Sequence, residues 1–140
     1  MNDRFHISTD KSKLDLAIIH NFLKSSPWAE NIPLKIVEKS IENSLCFGVY
    51  EGNKQIGFGR VITDYATFAY LADVFIAESF RGLGLGKWLV EFILEYPELQ
   101  GLRRWLLGTI DAHGLYRQDG FQMAKPERYM EINVTNIYQK

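Results

Sequence analysis

The chain has 140 residues, 46% of them hydrophobic and 24% charged, with a formal net charge of -1. That is length enough for one domain with a core of its own, and the near-neutral balance carries no positive field of the kind that draws nucleic acid. The single cysteine, Cys46, excludes an internal disulfide, and with the scattered His6, His20 and His113 it matches no zinc-ligand spacing, so no metal is expected. No apolar run approaches the roughly 18 residues of a membrane helix. The first residues lack the basic and apolar regions of a secretory signal. The expectation is one domain over residues 1–140, cytoplasmic, without a nucleic-acid or membrane partner.

In chain order, Phe5 to Ser8 reads as a short edge strand. Leu14, Ile18 and Phe22 recur every four residues, with Ile19 and Leu23 beside them, which predicts a helix ending near Ser26-Pro27. A second helical stripe, Leu34, Val37 and Ile41, follows Pro33, a residue suited to a first turn. Leu45 to Tyr50 and Gln55 to Ile62 flank a turn around Gly52-Asn53 and predict a hairpin, with Ile56, Phe58, Arg60 and Ile62 on one face. A third strand is expected over Phe68 to Ile76. A glycine-rich turn follows, then a helix from Gly84 to Glu95 with Trp88, Leu89, Phe92 and Ile93 inward, stopped by Pro97. Trp105 to Thr109 reads as a buried strand. Asp111 is a plausible N-cap for a short helix from Ala112 to Gln118, Gly120 suits its stop, and Tyr129 to Val134 completes the pattern as a last strand. The strand–helix–strand step from Val74 to Thr109 requires a crossover, so the sheet is expected to be mixed.

The most informative stretch is Arg81-Gly82-Leu83-Gly84-Leu85-Gly86-Lys87, at the junction of a strand and a helix. Glycine admits positive φ and close approach of a ligand, and the unpaired N–H groups of a helix start suit phosphate. A P-loop requires a glycine where Arg81 stands and Ser or Thr where Trp88 stands. A dinucleotide fingerprint requires a glycine where Lys87 stands.

The pattern Arg81-x-x-Gly84-x-Gly86 resembles the pyrophosphate signature of the GNAT superfamily of N-acetyltransferases. Ala112-x-x-Leu115-Tyr116-x-x-x-Gly120-Phe121 resembles a second segment of the same family. The resemblance implies an α/β (α+β) fold: a mixed sheet of six to seven strands, about four helices, and a parallel pair splayed by a bulge at the cofactor site. It implies acetyl-CoA as cosubstrate. The main chain around Val74, Phe75 and Ile76 would pair with the pantetheine arm, and Arg81, Gly82, Leu83, Gly84, Leu85, Gly86 and Lys87 would hold the pyrophosphate.

By the same resemblance, an acetyl group passes directly to a primary amine in a ternary complex, with Tyr116 as general acid toward the leaving thiolate and a main-chain N–H near Val74 or Phe75 as oxyanion donor. The amine must lose a proton. Asp73, a carboxylate in an otherwise apolar strand, is either the base, directly or through water, or the partner of a nearby cation or backbone amide. Arg60 either pairs with Asp73 or meets an acidic group of the acceptor. Asp64 is a second acidic candidate, better suited to a turn. Trp28, Tyr65, Phe68 and Tyr70 are candidates to wall an amine pocket. Cys46 fits a core position. A non-catalytic module that binds CoA as a sensor, or binds a protein partner, is the rival reading. A homodimer is an open expectation, through the sheet end or the tail with Val134, Ile137 and Tyr138.

Overall fold

A computed structural model describes residues 3–109 and 112–139. Its centre is one five-stranded sheet in sequence order: β1 (Phe5–Ser8), β2 (Leu45–Glu51), β3 (Lys54–Thr63), β4 (Phe68–Ile76) and β5 (Arg104–Leu107). The first four strands pair antiparallel and β4 pairs parallel with β5, so the sheet is mixed. Four α-helices flank it: α1 (Leu16–Lys24), α2 (Leu34–Glu42), α3 (Leu85–Leu94) and α4 (His113–Gln118). Among the described residues no helix is long and apolar enough to cross a membrane.

The helices form where spacing and caps agree. Asp15 caps α1, its carboxylate accepting from the amides of Ala17 and Ile18, and the stripe buries Ile19 and Leu23. Pro33 is the N-cap of α2 rather than its first turn, and Val37 and Ile41 face inward. In α3 the buried residues are Leu85, Leu89, Val90 and Ile93. Phe92, expected inside, lies at the rim edge-on to Phe47. Two apolar clusters sandwich the sheet. One packs Phe47, Val49, Val61 and Leu71 under α3; the other packs Cys46, Phe58 and Phe75 under α1 and α2.

Three expectations need correction. Among the described residues the sheet has five strands, not six to seven. The predicted last strand, Tyr129 to Val134, does not form. That segment has the right composition but pairs with no strand among the described residues, and it runs exposed beyond a one-turn helix at Pro126–Arg128. Ile56 does not share a face with Phe58, because the β2–β3 register shifts at Val49/Tyr50. The extra residue turns Ile56 into the cluster under α3 while Phe58 stays under α1 and α2. Asp111, proposed as an N-cap, lies outside the described residues; Ala112 precedes α4.

Candidate active site

The site begins with a fault in β4. Phe58 pairs with Phe75, but Arg60 pairs with Ala72, so Asp73 and Val74 stand opposite Gly59 alone. This is a β-bulge, and Asp73 takes φ +55 within it, a left-handed conformation that Asp tolerates better than most residues. Pairing with β5 ends at Leu71↔Leu107, and residues 73–76 have no partner strand on that side among the described residues. Their main-chain donors and acceptors on that side are where an extended ligand can pair.

At the end of β4 the chain makes one turn of 3-10 helix and enters the glycine turn. Gly82 and Gly84 have φ +82 and +79, which a side chain disfavours. Gly84 is the N-cap of α3 and no side chain caps the helix. The first bond into the turn is from the Trp88 amide to Gly84 O, 3.1 Å. Among the described residues the amides of Gly82 through Lys87 meet no protein acceptor. Arg81 Nε donates to Ile76 O at 3.0 Å, tying the turn to the end of β4. Unpaired amides at a helix start, with Arg81 and Lys87 beside them, make an anion cradle.

This unpaired stretch and the cradle belong to one cleft of about 520 Å³, lined by Val74, Phe75 and Ile76, by Arg81, Gly82 and Gly84 to Lys87, and by Ala112, Leu115 and Tyr116 of the α4 segment. Tyr116 is half-buried, edge-on to Phe121 at 5.8 Å between centroids. Burial pushes its phenol above the ordinary tyrosine value, so it holds its proton throughout the neutral range.

Asp73 faces the α1–α2 side. Its Oδ2 accepts from Arg60 Nε at 2.8 Å and its Oδ1 from Trp28 Nε1 at 2.9 Å. The side chains of Arg60 and Asp73 are 16% and 9% exposed. Arg60 Nη1 donates on to Ser44 Oγ at 3.0 Å. Of the two readings of Asp73, the geometry displays the ion pair. Trp28 is 57% exposed and leans on Phe22, which stacks on Phe75 at 4.0 Å. Phe22 reaches the cleft wall, a role hidden in the sequence because its helical spacing reads as core.

Asp64 and Tyr65 are not brought to this cleft. They lie in the β3–β4 turn, and nine-residue β4 places them about 25 Å from its far end. Asp64 accepts from the amides of Ala66, Thr67 and Phe68 and from Thr67 Oγ1, which holds its carboxyl well below the usual range. It is a turn residue. Tyr65 lines a separate pocket of about 250 Å³ with Lys11, Glu42, Ser44 and Thr63. Phe68 and Tyr70 are half-buried along β4. Cys46 is buried, and burial pushes its thiol up to about 11, far from a nucleophile's range. Among the described residues no group of three or more His, Cys, Asp or Glu converges as a metal site would require.

Comparison with known proteins places this geometry. The acetyltransferase (GNAT) family model matches residues 16–121. A protein of Gibberella zeae named as an acetyltransferase is 33% identical over 79% of this chain and 74% of its own. A crystal structure from Xanthomonas campestris pv. campestris, assigned to the same family, is 47% identical, with a TM-score of 0.94 over 97% of both chains. A GNAT family acetyltransferase from Elizabethkingia anophelis, solved with acetyl-CoA bound, shares the fold at 15% identity, with a TM-score of 0.68 over 96% of this chain and 91% of its own.

Proposed function

Because the chain belongs to the GNAT family of acetyltransferases, we propose that it moves an acetyl group from acetyl-CoA to a primary amine. The observation that carries this reading is the joining of the unpaired stretch of β4 to the unpaired amides of the glycine turn in one cleft. A flexible arm ending in a pyrophosphate needs both halves. The residues fit it: Gly82 has no atom within 4 Å of where a Cβ would stand, and nearby Arg81 and Lys87 offset phosphate charge.

Val74, Phe75 and Ile76 hold the extended arm by main-chain bonds. Gly82 through Lys87 hold the phosphates, with the α3 dipole behind them. When bound, acetyl-CoA supplies an activated acyl carbon and a thiolate leaving group. Tyr116, kept protonated by burial, offers its phenol proton toward that sulfur from the opposite wall of the cleft. Trp28 and Phe22 wall the side from which the amine enters. Asp73 acts as a positioning residue: paired with Arg60 and Trp28, it fixes the bulge and joins the acceptor wall to β4. The acceptor's ammonium gives its proton to water at the cleft mouth before attack, so no side chain is assigned as base.

Calorimetry with acetyl-CoA, NAD and ATP on the wild type and on Gly84→Trp tests the reading, with circular dichroism to confirm that both are folded. Acetyl-CoA alone should bind, and the bulky side chain should abolish it. Thiol release across a panel of amines then identifies the acceptor. A folded wild type that does not bind acetyl-CoA would refute the proposal.

A further inference from the structure

The cleft has two unlike ends. Around Gly82 to Lys87 it is polar and open, with amides and two cations. Beside the bulge it is apolar, lined by Val74, Phe75 and Tyr116 and by one side chain from the helical layer on the other face of the sheet, Phe22 of α1. With the phosphates at the glycine turn, the acyl group comes to this second end.

Phe22 is not placed as a core residue. Ile19 and Leu23, on the stripe of α1 that faces the sheet, are 0% and 2% exposed, whereas Phe22, about 100° round the helix from Leu23, is only half-buried. Its ring lies flat on that of Phe75, with 4.0 Å between centroids and 11° between planes. Aromatic pairs commonly stand about 4.5–7 Å apart, so nothing passes between these two. Neither ring is free to withdraw. Phe75 is 5% exposed and packs against Phe58 at 6.0 Å. Phe22 is backed by Trp28 at 6.1 Å, and the Trp28 indole N–H is tied to Asp73 Oδ1 at 2.9 Å. Asp73, Trp28, Phe22 and Phe75 therefore make a circuit that leaves β4 at the bulge and returns to it two residues later. A side chain held this way at a cleft wall is a fixed stop.

Resting on the acetyl-transfer reading, we infer that Phe22 sets the length of the acyl group: stacked on Phe75, it ends the cleft beyond a two-carbon group and refuses longer straight chains. Close-packed rings do not yield to an added methylene without strain. Phe22 is the residue that sets the limit because it is the movable partner in sequence terms. Phe75 belongs to the core under α1 and α2 as well as to the cleft, while Phe22 reaches that core only at its margin.

Calorimetry on the full chain with CoA, acetyl-CoA and butyryl-CoA reads this end of the cleft without an acceptor. The wild type should bind acetyl-CoA at least about tenfold more tightly than butyryl-CoA, since one methylene in an apolar pocket is worth about 10–200-fold. Phe22→Ala should bring the two donors within about threefold of each other, and its thiol release from butyryl-CoA relative to acetyl-CoA, with one amine, should rise at least about tenfold over wild type. A loosened fold weakens both donors alike and cancels in these ratios. A wild type that binds the two donors equally would overturn the inference, as would a Phe22→Ala chain with unchanged ratios. A folded chain that binds none of the three, CoA included, would overturn the acetyl-transfer reading and the inference with it. If circular dichroism shows that Phe22→Ala does not fold, Phe22→Leu decides by the same ratios.

Discussion

Asp73→Asn separates an anchor from a base. Asparagine tolerates the φ of +55 as aspartate does, keeps one oxygen acceptor, and gives up the charge and the second acceptor. Removing one partner of a fully buried ion pair costs about 3–5 kcal/mol. The Arg60 side chain is 16% exposed and keeps its bond to Ser44 Oγ, and the asparagine oxygen still accepts one of the two donors. The cost should therefore fall to about 2 kcal/mol, a drop in Tm of about 6–10 °C for a domain of this size.

If Asp73 is an anchor, kcat/KM should fall by less than about tenfold. Arg60→Leu added to Asp73→Asn should then cost less than the sum of the two single changes, because the second removes a charge that the first stranded. Thermal unfolding by circular dichroism and thiol release read both quantities on one preparation. A Tm within about 2 °C of wild type, with kcat/KM down by about 100-fold, would refute the anchor and make Asp73 the base.

Two further outcomes follow from buried phenols. Tyr116→Phe should lower kcat by about 10²–10³-fold while acetyl-CoA affinity by calorimetry stays within about threefold, since the proton is needed only as the thiolate leaves; equal losses in affinity and rate would mean that the ring only packs. Tyr50 Oη is buried without a partner among the described residues, and burial, aided by the Asp10 charge, pushes the phenol up to about 12. The folded state thus binds this proton more tightly than the unfolded chain at 10.0, so the associated stability is whole below pH 10 and is lost as pH rises toward 12. Tyr50→Phe should flatten that alkaline loss and raise Tm by a few degrees at neutral pH, about 1 kcal/mol, by removing an unpaired buried hydroxyl; a fall in Tm of the same size would show a hidden partner.

The parts of the molecule legible in the sequence are those set by local pattern. The stripe Leu34, Val37, Ile41 is a helix because residues three and four apart share a face, and β4 spans Phe68–Ile76 as read. The glycine turn was legible because Gly82 and Gly84 occupy positive φ, where other residues are strained. What pattern does not encode is registration between strands. Ile56 changed faces because of a shift at Val49/Tyr50, and the bulge at Asp73 appears only in the pairing of β3 with β4. Asp64 and Asp73 have the same side chain, one in the turn before β4 and the other within it. One ends as the hub of a turn and the other as the ion-paired residue of the bulge, because the first five residues of β4, Phe68 to Ala72, stand between them.

The unpaired tail follows the same logic. Tyr129 to Val134 has the alternation of a strand, and alternation is all that a single chain can write. A strand exists only when it pairs with an edge, and among the described residues the tail pairs with none, though the Arg104 guanidinium of β5 sits 4.1 Å from the centre of the Tyr129 ring. The apolar face at Met130 and Ile132 is a cost to the isolated chain that persists unless something covers it.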